Sequence, residues 1–176
     1  MALTKLNFGG SQTALSSANL PTGSVLQTKQ SVKTNTFGSS SSTNVDITGM
    51  SVSITPSSSS SKILILVNTD IVGQDSATGI QLLRDSTEIY KGDTNDSRER
   101  FSSIGMYSNG TSPTTYSGGS VSIVFLDSPN TTSSVTYKIQ GRARSGTWYI
   151  NRSQYFEDND NASVSASSIT VMEIAG

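Results

Sequence analysis

Few residues in this chain are able to carry out chemistry, because it contains no His and no Cys. The missing His removes the commonest general base and metal ligand. The missing Cys excludes disulfides, zinc–thiolate sites and cysteine nucleophiles. A serine nucleophile would need one of six lysines as its base, and none stands in an S-x-x-K motif with a supporting pattern around it. The 13 acidic residues, most of them in expected loops, are the remaining candidates for a carboxylate pair. We therefore expect no enzyme, no catalytic residue and no cofactor.

Two stretches have the outward form of a ligand-binding loop. Residues 92–101, GDTNDSRERF, place oxygen-bearing side chains at alternating positions, as a calcium loop does. The EF-hand template requires Gly at position 6 and Glu at position 12, whereas counting from Asp93 these positions hold Arg98 and Ile104. Residues 116–122, YSGGSVS, lack the Lys and the following helix of a phosphate loop. We interpret the first stretch as a solvated loop and the second as a strand entry, and expect no metal site.

The composition indicates a passive, polar protein of one domain. Ser and Thr account for 56 of the 176 residues, while charged residues make up only 14%. A net charge of −1 provides no basic field for nucleic acid, and a pI near 5.3 gives no attraction to an anionic membrane. The N-terminal residues lack the apolar core of a signal peptide, and no apolar run reaches membrane-spanning length. We expect a chain made in a cytoplasm, with neither nucleic acid nor membrane as a partner.

Short alternating segments predict an all-β fold of about eight to ten strands, because no window shows helical periodicity. Residues 62–72, KILILVNTDIV, are apolar on both faces in their first half, which is typical of a central strand covered on both sides. Asp85-Ser86 predicts a tight turn. The other expected strands are 24–32, 34–37, the 41–55 segment with alternating Met50, Val52 and Ile54, the segments on either side of Asp85-Ser86, 120–127, 134–143, 146–151 and 167–176.

Five consecutive serines, Ser57–Ser61, raise the question of whether they join two domains. The residues before them contain too few large side chains to form a core of their own. Pro56 ends the preceding strand, and serines supply a soluble loop. We therefore predict a connection between neighbouring strands, within a single β-sandwich domain of residues 24–176.

The first 23 residues predict an N-terminal arm, since their apolar side chains follow no sustained period. Such a segment is either a disordered tail or a docking segment, and we favour docking on a partner surface. The arm residues expected to contact the partner are Leu3, Leu6, Phe8, Leu15 and Leu20.

Residues 146–156, GTWYINRSQYF, concentrate aromatic side chains and include the only Trp. In a strand, alternate side chains point to opposite faces, so one face of this segment packs the core. The other face is a candidate for a subunit contact, for ordinary packing or for sugar binding, and we favour the subunit contact. The residues expected at this contact are Trp148, Tyr149, Arg152 and Tyr155.

Four phrases, at residues 20–30, 46–68, 149–153 and 167–176, together resemble small virion proteins of tailed bacteriophages, especially those of marine bacteria and cyanobacteria. The resemblance covers roughly residues 20–176. Members of this family are tail-fibre-like or structural proteins, similar to jelly-roll sandwiches of the tumour-necrosis-factor-like type. The resemblance therefore implies a jelly-roll fold and a homotrimer, and it implies no catalytic residue.

Three functions compete at this point. The first is a head-decoration, or cement, protein of the virion that holds the major capsid lattice through its arm. The second is a short tail fibre or receptor-binding tip whose loops, at 92–118 and 155–166, contact a host glycan. The third is a carbohydrate-active enzyme, which the missing His disfavours. We favour decoration, because 176 residues leave room for one sandwich and an arm but not for a fibre shaft.

Overall fold

The computed structural model describes residues 20–74, 77–107 and 118–176. In these ranges the chain forms twelve strands and no helix, and the strands form two sheets. The prediction of an all-β sandwich is confirmed. The strand count exceeds the expected eight to ten because two strands of two residues each, Ser103–Ile104 and Met106–Tyr107, were not expected. No helix in the described ranges is long and apolar enough to span a membrane.

The larger sheet contains seven strands, with the longest of them, β4, near its centre. All its pairs are antiparallel except the short parallel pair between β4 and β8. The spatial order is β1-β12-β4-β11-β2, and β8 and β9 also pair with β4. The strands are β1 (Val25–Lys33), β2 (Phe37–Ser39), β4 (Lys62–Gly73), β8 (Met106–Tyr107), β9 (Ser120–Asp127), β11 (Trp148–Ile150) and β12 (Ser167–Ile174).

The smaller sheet contains five strands in the order β3-β10-β5-β6, with β7 also paired to β5. They are β3 (Val45–Ile54), β5 (Thr78–Arg84), β6 (Thr87–Ile89), β7 (Ser103–Ile104) and β10 (Val135–Ala143). The turn predicted at Asp85-Ser86 is the two-residue loop of a hairpin, since Arg84 pairs with Thr87 and Asp85 has φ 53°.

The alternation predicted for β3 is present but interrupted by a bulge. Met50 and Ile54 are fully buried and Val52 is half-buried. Between the pairs Lys138↔Ser51 and Gln140↔Asp46, the register shifts, and Gly49 adopts φ +87°. A residue with a Cβ rarely adopts this conformation, so glycine allows the strand to bend over the core here.

The core lies between the two sheets. It consists mostly of aliphatic residues and includes two large aromatic residues, Tyr137 and Trp148. Ile63, Ile65 and Val67 of β4 face inward together with Ile169 and Val171 of β12. The smaller sheet contributes Met50, Ile54, Ile80, Leu82, Tyr137 and Ile139. The strand β4 is central, as predicted, but it is covered on one side only: Leu64 and Leu66 on its outer face are half-buried.

The serine run joins β3 to β4, which lie in opposite sheets rather than side by side. The predicted connection between neighbouring strands of one domain thus runs between β3 and β4, which follow each other in the chain, and crosses from one sheet to the other. Because the run crosses from one layer to the other at the end of the sandwich, it lies beside the C-terminal end of β12, and its hydroxyl groups become available to that strand.

Candidate interaction surfaces

The aromatic segment places its first predicted contact residue in the core. Trp148 and Ile150 are fully buried, whereas Tyr149 between them points to the other face and is half-buried. The Trp148 ring packs 5.5 Å from the ring of Phe37. Of the three roles considered for this segment, ordinary packing is therefore the one that Trp148 fulfils, and its side chain offers no surface to a partner. This corrects the prediction for Trp148.

The outward-facing part of the same segment is built around Arg152. Its guanidinium carbon lies 4.1 Å from the ring centroid of Tyr149 and 4.1 Å from that of Phe156, so the cation is stacked between two aromatic rings. It also donates to the carbonyl oxygens of Ser153 and Gln154 at 3.1 and 3.3 Å. Burial lowers the pKa of Arg152 from its ordinary value. The structure thus brings together two predicted residues, Tyr149 and Arg152.

Phe156 was missing from the predicted contact residues although it belongs to the same aromatic segment. Its position beside Arg152 depends on the chain turning back after β11, which alternation does not reveal. A bridge between Arg152 and Val164 closes this turn, and Ser153 accepts the amide of Ser163 on its Oγ. Tyr155, the last of the four predicted residues, is half-buried.

A groove of about 340 Å³ lies beside this stack and is lined by Phe156, Glu157, Asp158, Asn159, Ala162 and Val164. Phe156 and Val164 are 43% and 67% exposed, so the groove has an apolar wall. Glu157, Asp158 and Asn159 contribute oxygen atoms to its rim. An exposed aromatic ring next to carboxylate and amide groups is the combination that ligand pockets use to orient polar, ring-shaped ligands.

The predicted arm lies mostly outside the described residues, and so do Leu3, Leu6, Phe8 and Leu15. Leu20, its last predicted contact residue, is half-buried. It lines a pocket of about 230 Å³ together with Leu26, Ser57 and Ser58.

An apolar surface of the described chain lies on the outer side of the larger sheet. We call it the aliphatic face. Its residues come from β4, β9 and β12, which are neighbours in the sheet. Val124 is 64% exposed and Leu126 is 46% exposed, and the others are half-buried. The aliphatic face consists of Leu64, Leu66, Val124, Leu126, Met172 and Ile174.

The strand register places these side chains next to one another across β9, β4 and β12. Leu64 is directly opposite Leu126 on one side and opposite Met172 on the other. Leu66 is opposite Val124 on β9. Pairs directly opposite one another in an antiparallel sheet lie about 5 Å apart, so the side chains form one continuous patch rather than scattered exposed residues.

Charge distinguishes this side of the sandwich from the opposite side. Among the outward positions of β1, β4, β9 and β12, ionisable residues occur only at the two ends of β4, at Lys62 and Asp70. The outer side of the smaller sheet instead carries ion pairs, with Lys138 Nζ 2.8 Å from Asp46 and Arg142 paired with Glu99. Depletion of charge around exposed aliphatic and aromatic residues is the mark of an interface centre.

Among the described strands, β9 is also an edge of the larger sheet, paired with β4 alone. Its eight residues pair with β4 in an unbroken register and contain neither Lys nor Pro. The opposite edge strand, β1, carries Lys29 and Lys33 and a bulge near Val25. Natural proteins use such lysines and bulges to prevent pairing with another chain. Thus β9 lies at the border of the aliphatic face and itself contains none of these features that prevent pairing with another chain.

A buried phenol, that of Tyr137, belongs to a polar cluster inside the sandwich. Tyr137 donates its hydroxyl to Asp127 Oδ2 at 2.7 Å, and Arg84 Nη1 lies 2.9 Å from the same oxygen. Burial, reinforced by the Asp127 carboxylate, raises the pKa of Tyr137 well above its ordinary value. A phenol in this state holds its proton at neutral pH, so the cluster ties β5, β9 and β10 together rather than transferring protons.

Neither a family model nor a curated protein matches the chain. Its function therefore has to be argued from the surfaces described above. Of these, the aliphatic face is the feature that sequence reasoning missed. The signal was present: the apolar outer positions of KILIL and IVFL indicated a covered outer side, and the described chain does not supply the cover.

Proposed function

We propose that the protein is a structural component of a tailed-phage virion, namely a head-decoration protein. In this proposal the chain assembles as a homotrimer, binds the major capsid lattice through its N-terminal arm, and has a jelly-roll fold of the tumour-necrosis-factor-like type. The proposal draws on the four phrases that resemble small phage virion proteins. Sheet neighbours that are distant in sequence, such as β1 beside β12, support the jelly roll.

The aliphatic face is the observation that carries the proposal. Six aliphatic side chains on one sheet side, without charge among them, are unfavourable in water at roughly 25 cal/mol per Å² of apolar area. A protein that acts by assembly recovers this free energy in its contacts, and mass action then stabilises the fold. A second copy suits the centre of the face, because the neighbouring charges, Lys62 opposite Ile174 and Asp70, lie at the two ends of β4.

The test compares two substitutions at equally exposed valines. Val124→Lys places a charge in the middle of the aliphatic face, while Val164→Lys, at 67% against 64% exposure, places the same charge on the 155–164 turn. By light scattering after size exclusion, we expect wild type and V164K at three times the 18.5 kDa chain mass and V124K at the mass of one chain. A wild-type monomer, or an intact V124K trimer, contradicts self-association through this face.

The location in the virion is tested separately by copy number. Gel densitometry of purified virions gives the ratio of this protein to the major capsid protein. A ratio near one, or a simple lattice fraction such as one third, is expected for a shell component, and deletion of residues 1–19 should then abolish attachment. A ratio of a few per cent contradicts the decoration proposal and places the protein in the tail.

The second candidate function is a tail-fibre or receptor-binding tip that contacts a host glycan. The specific observation that favours it is the groove beside the Arg152 stack, where Phe156 offers an exposed ring with carboxylate and amide groups around it. Binding of purified protein to host surface polysaccharide, lost in Phe156→Ala and retained in Val124→Lys, is the result expected from this alternative. Absence of binding by the wild type excludes it.

A further inference from the structure

The carboxylate of Glu173 is buried at the end of β12, and within residues 20–74, 77–107 and 118–176 no cation forms an ion pair with it. Its side chain is 0% exposed. The ion pairs of the described residues involve other carboxylates, those of Asp46, Glu88, Asp96, Glu99 and Asp127. Removing a carboxylate from water is costly unless hydrogen-bond donors replace the lost hydration. The donors around Glu173 therefore determine what this residue does.

Four hydrogen bonds reach the carboxylate, and three of them come from the serine run. Oε1 accepts the backbone N–H of Ser57 at 2.7 Å, the hydroxyl of Ser57 at 2.7 Å and the hydroxyl of Ser61 at 2.7 Å. Oε2 accepts Nε2 of Gln27 at 2.6 Å. Burial favours the neutral acid, but these donors favour the anion, so the carboxylate organises both the serine run and the start of β1.

The same elements enclose the arm root, which we define as residues 20–24. Gly23 donates its N–H to the carbonyl of Ala175 at 2.8 Å, and Ala175 donates to Ser24 at 2.9 Å. The C-terminal Gly176 lies so close to the carbonyl of Ser60 that an added Cβ would come within 2.0 Å of it. The arm root is thus held between the C-terminal residues and the serine run, and Glu173 connects the two.

We propose that Glu173 is the positioning residue of the arm root: through Ser57, Ser61 and Gln27 it fixes the place where the N-terminal arm leaves the body of the protein. Attachment of this arm to a shell rests on the function proposed above, whereas the positioning is a property of the isolated chain. Two of the five serines, Ser57 and Ser61, then do more than form a soluble loop, because their hydrogen bonds compensate for the burial of the Glu173 carboxylate.

A glutamine cannot take over this role, although it has the same size. Its amide nitrogen donates, and at least one of the four donors of Ser57, Ser61 and Gln27 would meet another donor instead of an acceptor. Glu157→Gln is the matched control, because it removes one carboxylate by the same substitution from an exposed position of the 155–164 turn.

The experiment is amide hydrogen exchange of the isolated protein, resolved by residue, for wild type, E173Q and E157Q. In E173Q we expect the amides of Ser57, Gly23 and Ala175 to exchange at least about tenfold faster, since each loses a hydrogen bond or its support. The amide of Gln74, bonded to Thr147 at the far end of the sandwich, should be unchanged. E157Q should match the wild type at all four amides.

Two outcomes overturn the proposal. Equal acceleration at Gln74 means that Glu173 only stabilises the whole fold. Acceleration at Ser57 alone means that the serine run is anchored but the arm root is not. If E173Q fails to fold, Ser61→Ala removes a single donor and keeps the carboxylate, and it should give the same pattern at smaller size; an unchanged pattern in a folded S61A contradicts the proposal as well.

The exchange result stands apart from the proposed function. If E173Q loosens the arm root while wild-type protein is absent from virion heads, the positioning holds and the decoration function fails. If wild-type protein attaches to heads but E173Q leaves the exchange of Gly23 and Ala175 unchanged, the decoration function holds and the positioning fails.

Discussion

The indole ring of Trp148 lies directly over Gly141 in the opposite sheet. A Cβ added to Gly141 would come within 2.5 Å of Cη2 of the indole. Because Gly141 has no side chain, the facing strand β10 leaves room in the core for the only Trp of the chain.

Gly141→Ala should destabilise the protein by about 1–3 kcal/mol, because the buried ring has no free direction in which to move away from the new methyl group. The measurement is guanidinium chloride unfolding, with a lowered midpoint and an unchanged m-value. Gly92→Ala is the control: its added Cβ would be 3.8 Å from the nearest atom, and its effect should stay within about 0.5 kcal/mol. Equal effects of the two substitutions would show that the contact with Trp148 is not the cause.

Self-association through the aliphatic face should be insensitive to salt, since its centre contains no charge. Between about 50 and 500 mM NaCl, where the screening length falls from above to below 10 Å, we expect the dissociation constant to change less than about twofold. Sodium sulfate should strengthen association by favouring apolar burial. Sedimentation velocity at each salt concentration measures both effects. A tenfold weakening in NaCl would assign the contact to the charged side of the sandwich, around Lys138 and Arg142.

The fold was predictable where one strand carries its own pattern. The sequence predicts strands at 120–127 and 134–143 and a turn at Asp85-Ser86, and the structure has β9, β10 and the β5–β6 hairpin loop there. The bulge at Gly49 was not predicted, because Ile47 and Met50 are three residues apart and a strict period of two cannot accommodate both as buried.

The candidate sites were predictable only in part, because they depend on residues far apart in the sequence. Gln27 and Glu173 are 146 residues apart, and no local pattern joins them. The sequence predicts Trp148 at a contact because alternation shows that the segment has two faces but not which of them is inside. For the aliphatic face, the sequence does indicate apolar residues on both faces of the strand around Leu64. It does not indicate that the described chain leaves the outer ones half-exposed.

Arg152→Lys should loosen the turn that follows β11. A lysine keeps the charge but loses the planar stacking between Tyr149 and Phe156, each contact contributing about 0.5–1 kcal/mol. We expect faster cleavage by an endoproteinase that cuts before aspartate, at Asp158 and Asp160, and a loss of about 1–2 kcal/mol in unfolding free energy. Arg98→Lys is the control, because the Arg98 side chain is 68% exposed and its ion pair with Asp96 is at the surface. Unchanged cleavage in R152K would mean that the bridge to Val164 holds the turn without the stack.

The hydrogen bonds to Glu173 also predict how stability depends on pH. Burial by itself would raise the pKa of Glu173, but the hydrogen bonds from Gln27, Ser57 and Ser61 outweigh it and hold the pKa below its ordinary value. An acid whose pKa is lower in the folded state stabilises the fold above its unfolded-state pKa, about 4.3, and loses that contribution as the pH falls through the folded-state pKa. The free energy of unfolding should therefore decrease from about pH 5 downward.

The substitution E173Q isolates this contribution, because glutamine does not titrate. At pH 7 the wild type should be the more stable protein, and the difference between the two unfolding free energies should shrink steadily between about pH 5 and pH 3. Asp46 contributes to the wild-type slope in the same direction, since the hydrogen bond from Lys138 lowers its pKa, but it does so equally in both proteins. Denaturant unfolding at pH 7, 5, 4 and 3 gives the four differences. A difference that stays constant on acidification would mean that Glu173 is a neutral acid in the folded protein. The hydrogen bonds from Ser57, Ser61 and Gln27 would then fix the conformation of the serine run without stabilising a negative charge.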